Sequence, residues 1–216
     1  MKNDKGFNLH ELLLNQCQSN YKEFQKKLIL PGGKKIVIQK LLNELNTPSI
    51  TTAQKGKKLE DLTRKVFETI GFFDCYANIH TSTNEIDFLC KLSPVGKNAK
   101  SEGFIGLEDE FLVECKNYST KVGVTYIGKF ASLLESHNKK FGIMVSQKGI
   151  TGSAWKDATG LTKKLYLKTG VLIISFDFND FQRLQHESFF SIIESKKDEI
   201  KNDADISQYI TKHPAE

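Results

Sequence analysis

Arginine is almost missing from this chain: of 31 basic side chains, only Arg64 and Arg183 are arginine. Bidentate reading of guanine edges therefore has few candidates, and lysine contacts to phosphate are the expected mode toward any nucleic acid. A net charge of +5 favours a polyanionic partner without naming one. The 4 cysteines, Cys17, Cys75, Cys90 and Cys115, show no CxxC spacing and no histidine at ligand distance, which argues against a zinc site. The last three fall in apolar, strand-like runs and read as reduced core residues. His80 and His137 lack partners at triad or ligand spacing, and no serine or cysteine constellation suggests nucleophilic catalysis. No signal-like succession opens the sequence and no apolar run is long enough to cross a bilayer, so a cytoplasmic chain without a membrane partner is expected.

What is present is enough for one principal domain: 216 residues, 39% hydrophobic and 26% charged. Residues 7–29 and 36–45 read as helices separated by Pro31, Gly32 and Gly33, giving an N-terminal helical arm over 1–50. Thr51 and Gln54 offer a capping box for a helix that ends near Gly71. Along it Leu59, Leu62, Val66, Phe67 and Ile70 share an arc, with Glu60 at the margin. Residues 75–80 and 85–92 read as strands joined by a hairpin through Thr81 and Asn84, and residues 93–109 as a long loop. Strands follow over 110–116, 141–146 and 171–176, alternating with helices over 122–137 and 151–168. This αβββαβαβ order predicts an α/β core over 51–178, a mixed central sheet flanked by helices. A helical tail over 179–216 follows.

Glu114 and Lys116 stand two apart on a strand, so their side chains leave one face while Val113 and Cys115 leave the other. Asp87 occupies a strand position where a buried sheet would carry Val or Ile. Two partly buried carboxylates are costly without a compensating cation, and a hard, oxygen-preferring ion such as Mg²⁺ suits them. A cross-strand ion pair of Lys116 with Asp87 or Glu114 on a solvated face would need no metal, and spacing alone leaves that alternative open.

The order of short motifs resolves the choice by likeness. Gly56 to Glu60, Phe67 to Gly71, Glu85-Ile86-Asp87, Val113 to Lys116, Val122 to Thr125, Val145 to Thr151 and Ala154 to Ala158 together resemble the Mrr-like branch of the PD-(D/E)XK nucleases. That branch commonly carries Gly-Gly before Ile-Asp, where this chain has Asn84 and Glu85. The resemblance implies a restriction-endonuclease-like core and a metal-dependent DNA endonuclease using Mg²⁺, with Mn²⁺ as substitute. It implies Asp87, Glu114, the Cys115 carbonyl and Glu60 as the metal-binding set, with Lys116 orienting or deprotonating the attacking water. Glu85 shares the face of Asp87 and stands as an extra ligand or a hydrogen-bonding residue. Lys121, Tyr126, Gln147 and Lys148 are candidates for DNA contact. Restriction or anti-phage defence is the context the family implies. A repair or junction-resolving nuclease and a non-catalytic nucleic-acid-binding subunit are the rival readings, and a homodimer and a recognition or ATPase partner stay open.

Overall fold

The computed structural model describes residues 21–47, 51–80, 85–152 and 156–203. The predicted hairpin turn at Thr81–Asn84, Cys17, Ala154 and the chain beyond Asp203 lie outside the described residues. The elements are α1 (Tyr21–Lys27), α2 (Gly32–Leu45), α3 (Thr52–Ile70), β1 (Phe73–His80), β2 (Glu85–Leu92), α4 (Pro94–Ser101) and β3 (Glu110–Lys116). Then come α5 (Val124–Ser136), β4 (Phe141–Ser146), α6 (Ala158–Thr169), β5 (Leu172–Phe176), α7 (Phe178–Arg183) and α8 (Phe189–Asp203).

The strands form one mixed sheet in the order β1-β2-β3-β4-β5. β1–β2 and β2–β3 are antiparallel, β3–β4 and β4–β5 parallel. The two parallel connections each carry a helix, α5 and α6, as a parallel crossover requires. Leu112, Met144 and Ile173 meet α5 and α6 on one face, with Ile127, Phe130, Leu134 and Ala158. On the other face Phe88, Phe111, Val113, Ile143 and Ile174 join the larger core with Leu59, Leu62 and Val66 of α3 and Ile192 and Ile193 of α8. Edge-on phenylalanines knit that core: Phe73 lies 5.4 Å from Phe111 and Phe67 lies 5.4 Å from Phe189, the geometry ring quadrupoles favour. Ile38, Leu42 and Leu45 of α2 are buried in this same core, so α2 packs against the sheet-bearing unit.

The capping box of α3 forms in both directions. Thr51 Oγ1 accepts from Gln54 N–H at 3.3 Å, and Gln54 Oε1 accepts from Thr51 N–H at 2.8 Å. Gly71 ends the helix in the left-handed conformation, φ 75°.

The structure corrects several expectations. Gly32 and Gly33 do not separate two helices but open α2, with Pro31 at its N-cap. Residues 93–109 are not one loop: Ser93 caps α4, its Oγ accepting from Gly96 N–H, and Pro94 occupies the first turn where its missing N–H costs nothing. A Cβ at Gly96 would sit 2.3 Å from the Phe72 carbonyl, so this turn tolerates only glycine. The helix read from Thr151 starts at Ala158, because Gly152 takes φ 86° and Asp157 is its N-cap. Finally, Cys75 and Cys90 are not reduced core thiols but a disulfide, their residues directly opposed in the β1–β2 register. Cys115 is free and buried, as expected.

Beyond β3 and β4 the two exits are tied together. Val122 N–H donates to the Gly149 carbonyl at 2.9 Å and Thr151 N–H to the Val122 carbonyl at 2.8 Å, a parallel bridge between Val122 and Ile150. Among the described residues no helix is long and apolar enough to cross a membrane.

Candidate active site

β2 and β3 leave the regular ladder where the acidic residues stand. Their register runs from Lys91–Glu110 to Phe88–Val113, and its next pair would be Asp87 with Glu114. There Cys115 N–H donates to Asp87 Oδ2 at 2.7 Å, so a carboxylate takes the place of a strand carbonyl. Within a strand the N–H and C=O of one residue point the same way, which turns the Cys115 carbonyl toward the same gap. On β1, Asn78 adopts φ 53° between the Ala77–Phe88 and Ile79–Ile86 pairs. Alternation fails at this point, and Ile86 packs with the α5-side cluster while Phe88 packs in the larger core.

β4 holds β3 extended through Lys116, which pairs with Ser146. Glu114 and Lys116 therefore share the α5 face, while the Cys115 thiol donates to Thr63 Oγ1 at 3.6 Å on the α3 face. Thr63 lies one turn from Glu60, so this contact docks the Glu60 turn against the end of β3. Asn117 Nδ2 adds a bond to the Thr52 carbonyl at 3.1 Å.

The electrostatics identify this cluster as short of positive charge. Burial raises the Asp87 carboxyl above its ordinary range, against the lowering effects of the Cys115 N–H and Lys116. Glu114 is raised by burial and by Asp87, despite its 2.5 Å ion pair with Lys116 Nζ. Glu60 is raised by burial, then by Asp87, Asp61 and Glu85. For Lys116 burial lowers the ammonium's pKa, but the pair with Glu114 and the nearby Asp87 outweigh it and the net shift is upward. One ammonium thus faces several carboxylates, and Glu114 Oε2 is buried with no hydrogen-bond partner among the described residues.

The donor set suits a small hard cation: two carboxylates, a backbone carbonyl and Glu60, all oxygen. Among the described residues no three His, Cys, Asp or Glu side chains close a cage. A Mg²⁺ ion does not require one, since it binds through one or two carboxylates and keeps much of its water.

Beside the carboxylates lies a cleft of about 250 Å³ lined by Glu85, Glu114, Lys116, Tyr118, Tyr126 and Lys129, among others. Of the residues singled out in the sequence, Glu85 and Tyr126 line this cleft together with Glu114 and Lys116. Tyr118 and Lys129 are additional: the Tyr118 and Tyr126 rings lie 4.9 Å apart and Lys129 Nζ sits 5.6 Å from the Tyr126 ring centroid. Their signal was local, since Tyr118 follows Lys116 by two and Lys129 follows Tyr126 by one helical turn. Lys121 and Lys148 are exposed and Gln147 half-buried on the bridged loops beyond β3 and β4, apart from the cleft lining.

A mixed sheet between helix layers, with an acidic cluster and a lysine at the β2–β3 divergence, is the build of a restriction-endonuclease-like nuclease. The Mrr catalytic-domain family, described as restriction endonuclease, matches residues 51–176, and the chain belongs to that family, an Mrr-like branch of the PD-(D/E)XK nucleases. No curated protein matches it. Among solved structures it is similar to the DNA modification-dependent restriction endonuclease AspBHI, with a TM-score of 0.37 and 14% identity. That similarity covers 83% of this chain and 42% of the other, so the chain spans less than half the length of that relative.

Proposed function

We propose that the chain is a Mg²⁺-dependent DNA endonuclease that hydrolyses phosphodiester bonds, with Mn²⁺ as a working substitute. Asp87, Glu114, the Cys115 carbonyl and Glu60 would hold the cation. The observation that carries the reading is the unpartnered, buried Glu114 Oε2 beside Asp87 at the point where the β2–β3 ladder opens. When bound, the ion supplies Lewis acidity toward a phosphoryl oxygen and acidifies attacking water.

The chain's own residues supply the rest. Lys116, held by Glu114 through Oε1, would orient water and stabilise charge developing on phosphate. Asp87 is fixed by the Cys115 N–H, which limits reorganisation as charge changes. Tyr126 and Lys129 border the cleft where a DNA strand would pass, Lys129 meeting phosphate. Restriction or anti-phage defence, in the cytoplasm, is the role we assign on family grounds.

Conversion of supercoiled plasmid to nicked and linear forms tests the activity. Cleavage should need Mg²⁺, stop with EDTA, and be lost in Asp87→Asn and Lys116→Ala. Equal nicking by wild type and both variants would reject the reading.

A further inference from the structure

β4 is apolar from Phe141 to Val145 and ends in a buried serine, 1% exposed, whose Oγ has no hydrogen-bond partner among the described residues. A dry, unpaired hydroxyl is costly, and alanine at that position would avoid the cost. Ser146 pairs in register with Lys116, as Met144 does with Glu114. Met144 packs in the α5-side cluster, so by strand alternation Ser146 lies on the face that carries Glu114 and Lys116. Neighbouring strands are about 4.8 Å apart, a span a lysine side chain bridges.

Two unpartnered oxygens thus flank one lysine. Lys116 pairs with Glu114 Oε1, while Glu114 Oε2 and Ser146 Oγ have no partner among the described residues. A divalent cation on Glu114 Oε2 withdraws charge from the carboxylate and weakens its short pair with Lys116 through Oε1. We propose that Ser146 is a positioning residue for Lys116: when a divalent cation takes Glu114, the released ammonium donates to Ser146 Oγ and is held beside the reacting phosphate. This rests on the metal-dependent reading above. No covalent step is involved; one charge-assisted hydrogen bond replaces another.

The test follows the Lys116 Nζ resonance by ¹⁵N NMR in the full chain, without DNA, with the signal assigned by its loss in Lys116→Ala. Mg²⁺ should move it in the wild type. In Glu114→Gln it should be displaced before any Mg²⁺ is added. In Ser146→Ala the Mg²⁺-bound ammonium should exchange its protons with water about tenfold faster, and Ser146→Thr, which keeps a hydroxyl, should restore slow exchange. With DNA, Ser146→Ala should lower kcat about tenfold with KM within about twofold, again rescued by Ser146→Thr.

Unchanged Lys116 exchange and kcat in Ser146→Ala, with a raised Tm, would make the hydroxyl a mere packing cost and overturn the proposal. Mg²⁺-dependent cleavage with an unmoved Lys116 resonance would overturn this inference alone. Metal-independent behaviour in both assays would overturn the metal-dependent reading as well.

Discussion

Asp87 and Cys115 are joined main chain to side chain, at 2.7 Å, at the point where β2 and β3 would otherwise have continued backbone to backbone. The carboxylate therefore closes the β2–β3 ladder and also faces the acidic cluster. Substitutions that keep or remove its oxygen separate those two duties.

Asp87→Asn keeps an acceptor for the Cys115 N–H and should leave Tm near that of the wild type while abolishing Mg²⁺ binding in calorimetric titration. Asp87→Ala should lose both, with a fall of about 1–3 kcal/mol in unfolding free energy for the stranded N–H. Equal stability of the two variants would remove the structural duty.

Divalent metal should stabilise the fold. Burial raises Glu60, Asp87 and Glu114 together, and repulsion adds to it, from Asp87 at Glu60 and Glu114 and from Glu85 at Asp87. At a hundredfold excess over Kd, Mg²⁺ should add about 2.7 kcal/mol, or roughly 5–10 °C in Tm by calorimetry. EDTA should reverse the gain, and Asp87→Asn should not show it. An identical Tm with Mg²⁺ and with EDTA in the wild type would count against a metal in this cluster.

Acid stability should depend on Glu110, which pairs with Lys139 and Lys91 and is lowered from 4.5 to about 2. With the folded value depressed, its contribution is complete above pH 4.5 and drains away as pH falls from there toward 2. The side chain is 34% exposed, so solvent screening keeps the effect below about 1 kcal/mol. Glu110→Gln should lower Tm at pH 6 by less than about 4 °C, and by progressively less toward pH 3. A constant offset across that range would show that the pair does not act through charge.

Gly142 lets α5 lie directly on β4: a Cβ there would meet Phe130 Cζ at 2.7 Å and Leu134 Cδ1 at 2.9 Å. Gly142→Ala should cost about 1–3 kcal/mol in chemical denaturation. It should also weaken DNA binding, because the displaced helix carries Tyr126 and Lys129. Wild-type stability would mean that Phe130 has room to turn aside.

The strands, the α3 capping box and the shared face of Glu114 and Lys116 were legible because period-2 alternation and capping are properties of neighbouring residues. Helical periodicity showed Glu60 only as an acid at the edge of an apolar arc, and its part in the site came from the family likeness; its docking depends on Thr63 meeting Cys115, 52 residues away. The disulfide was hidden for a similar reason: Cys75 and Cys90 become partners only once the strand register is fixed. α4 was missed because its apolar pattern is too short to show a period, although Ser93 and Pro94 marked its start. Ser146 gave no signal at all, since a serine ending an apolar strand reads as an ordinary loop entrance.

The rung between Val122 and Ile150 has a mechanical consequence. Lys121 and Lys148 ride on chain segments fastened to each other, so the rim beyond β3 and β4 moves as one clasp rather than as two independent fingers. A force on either segment is shared by both.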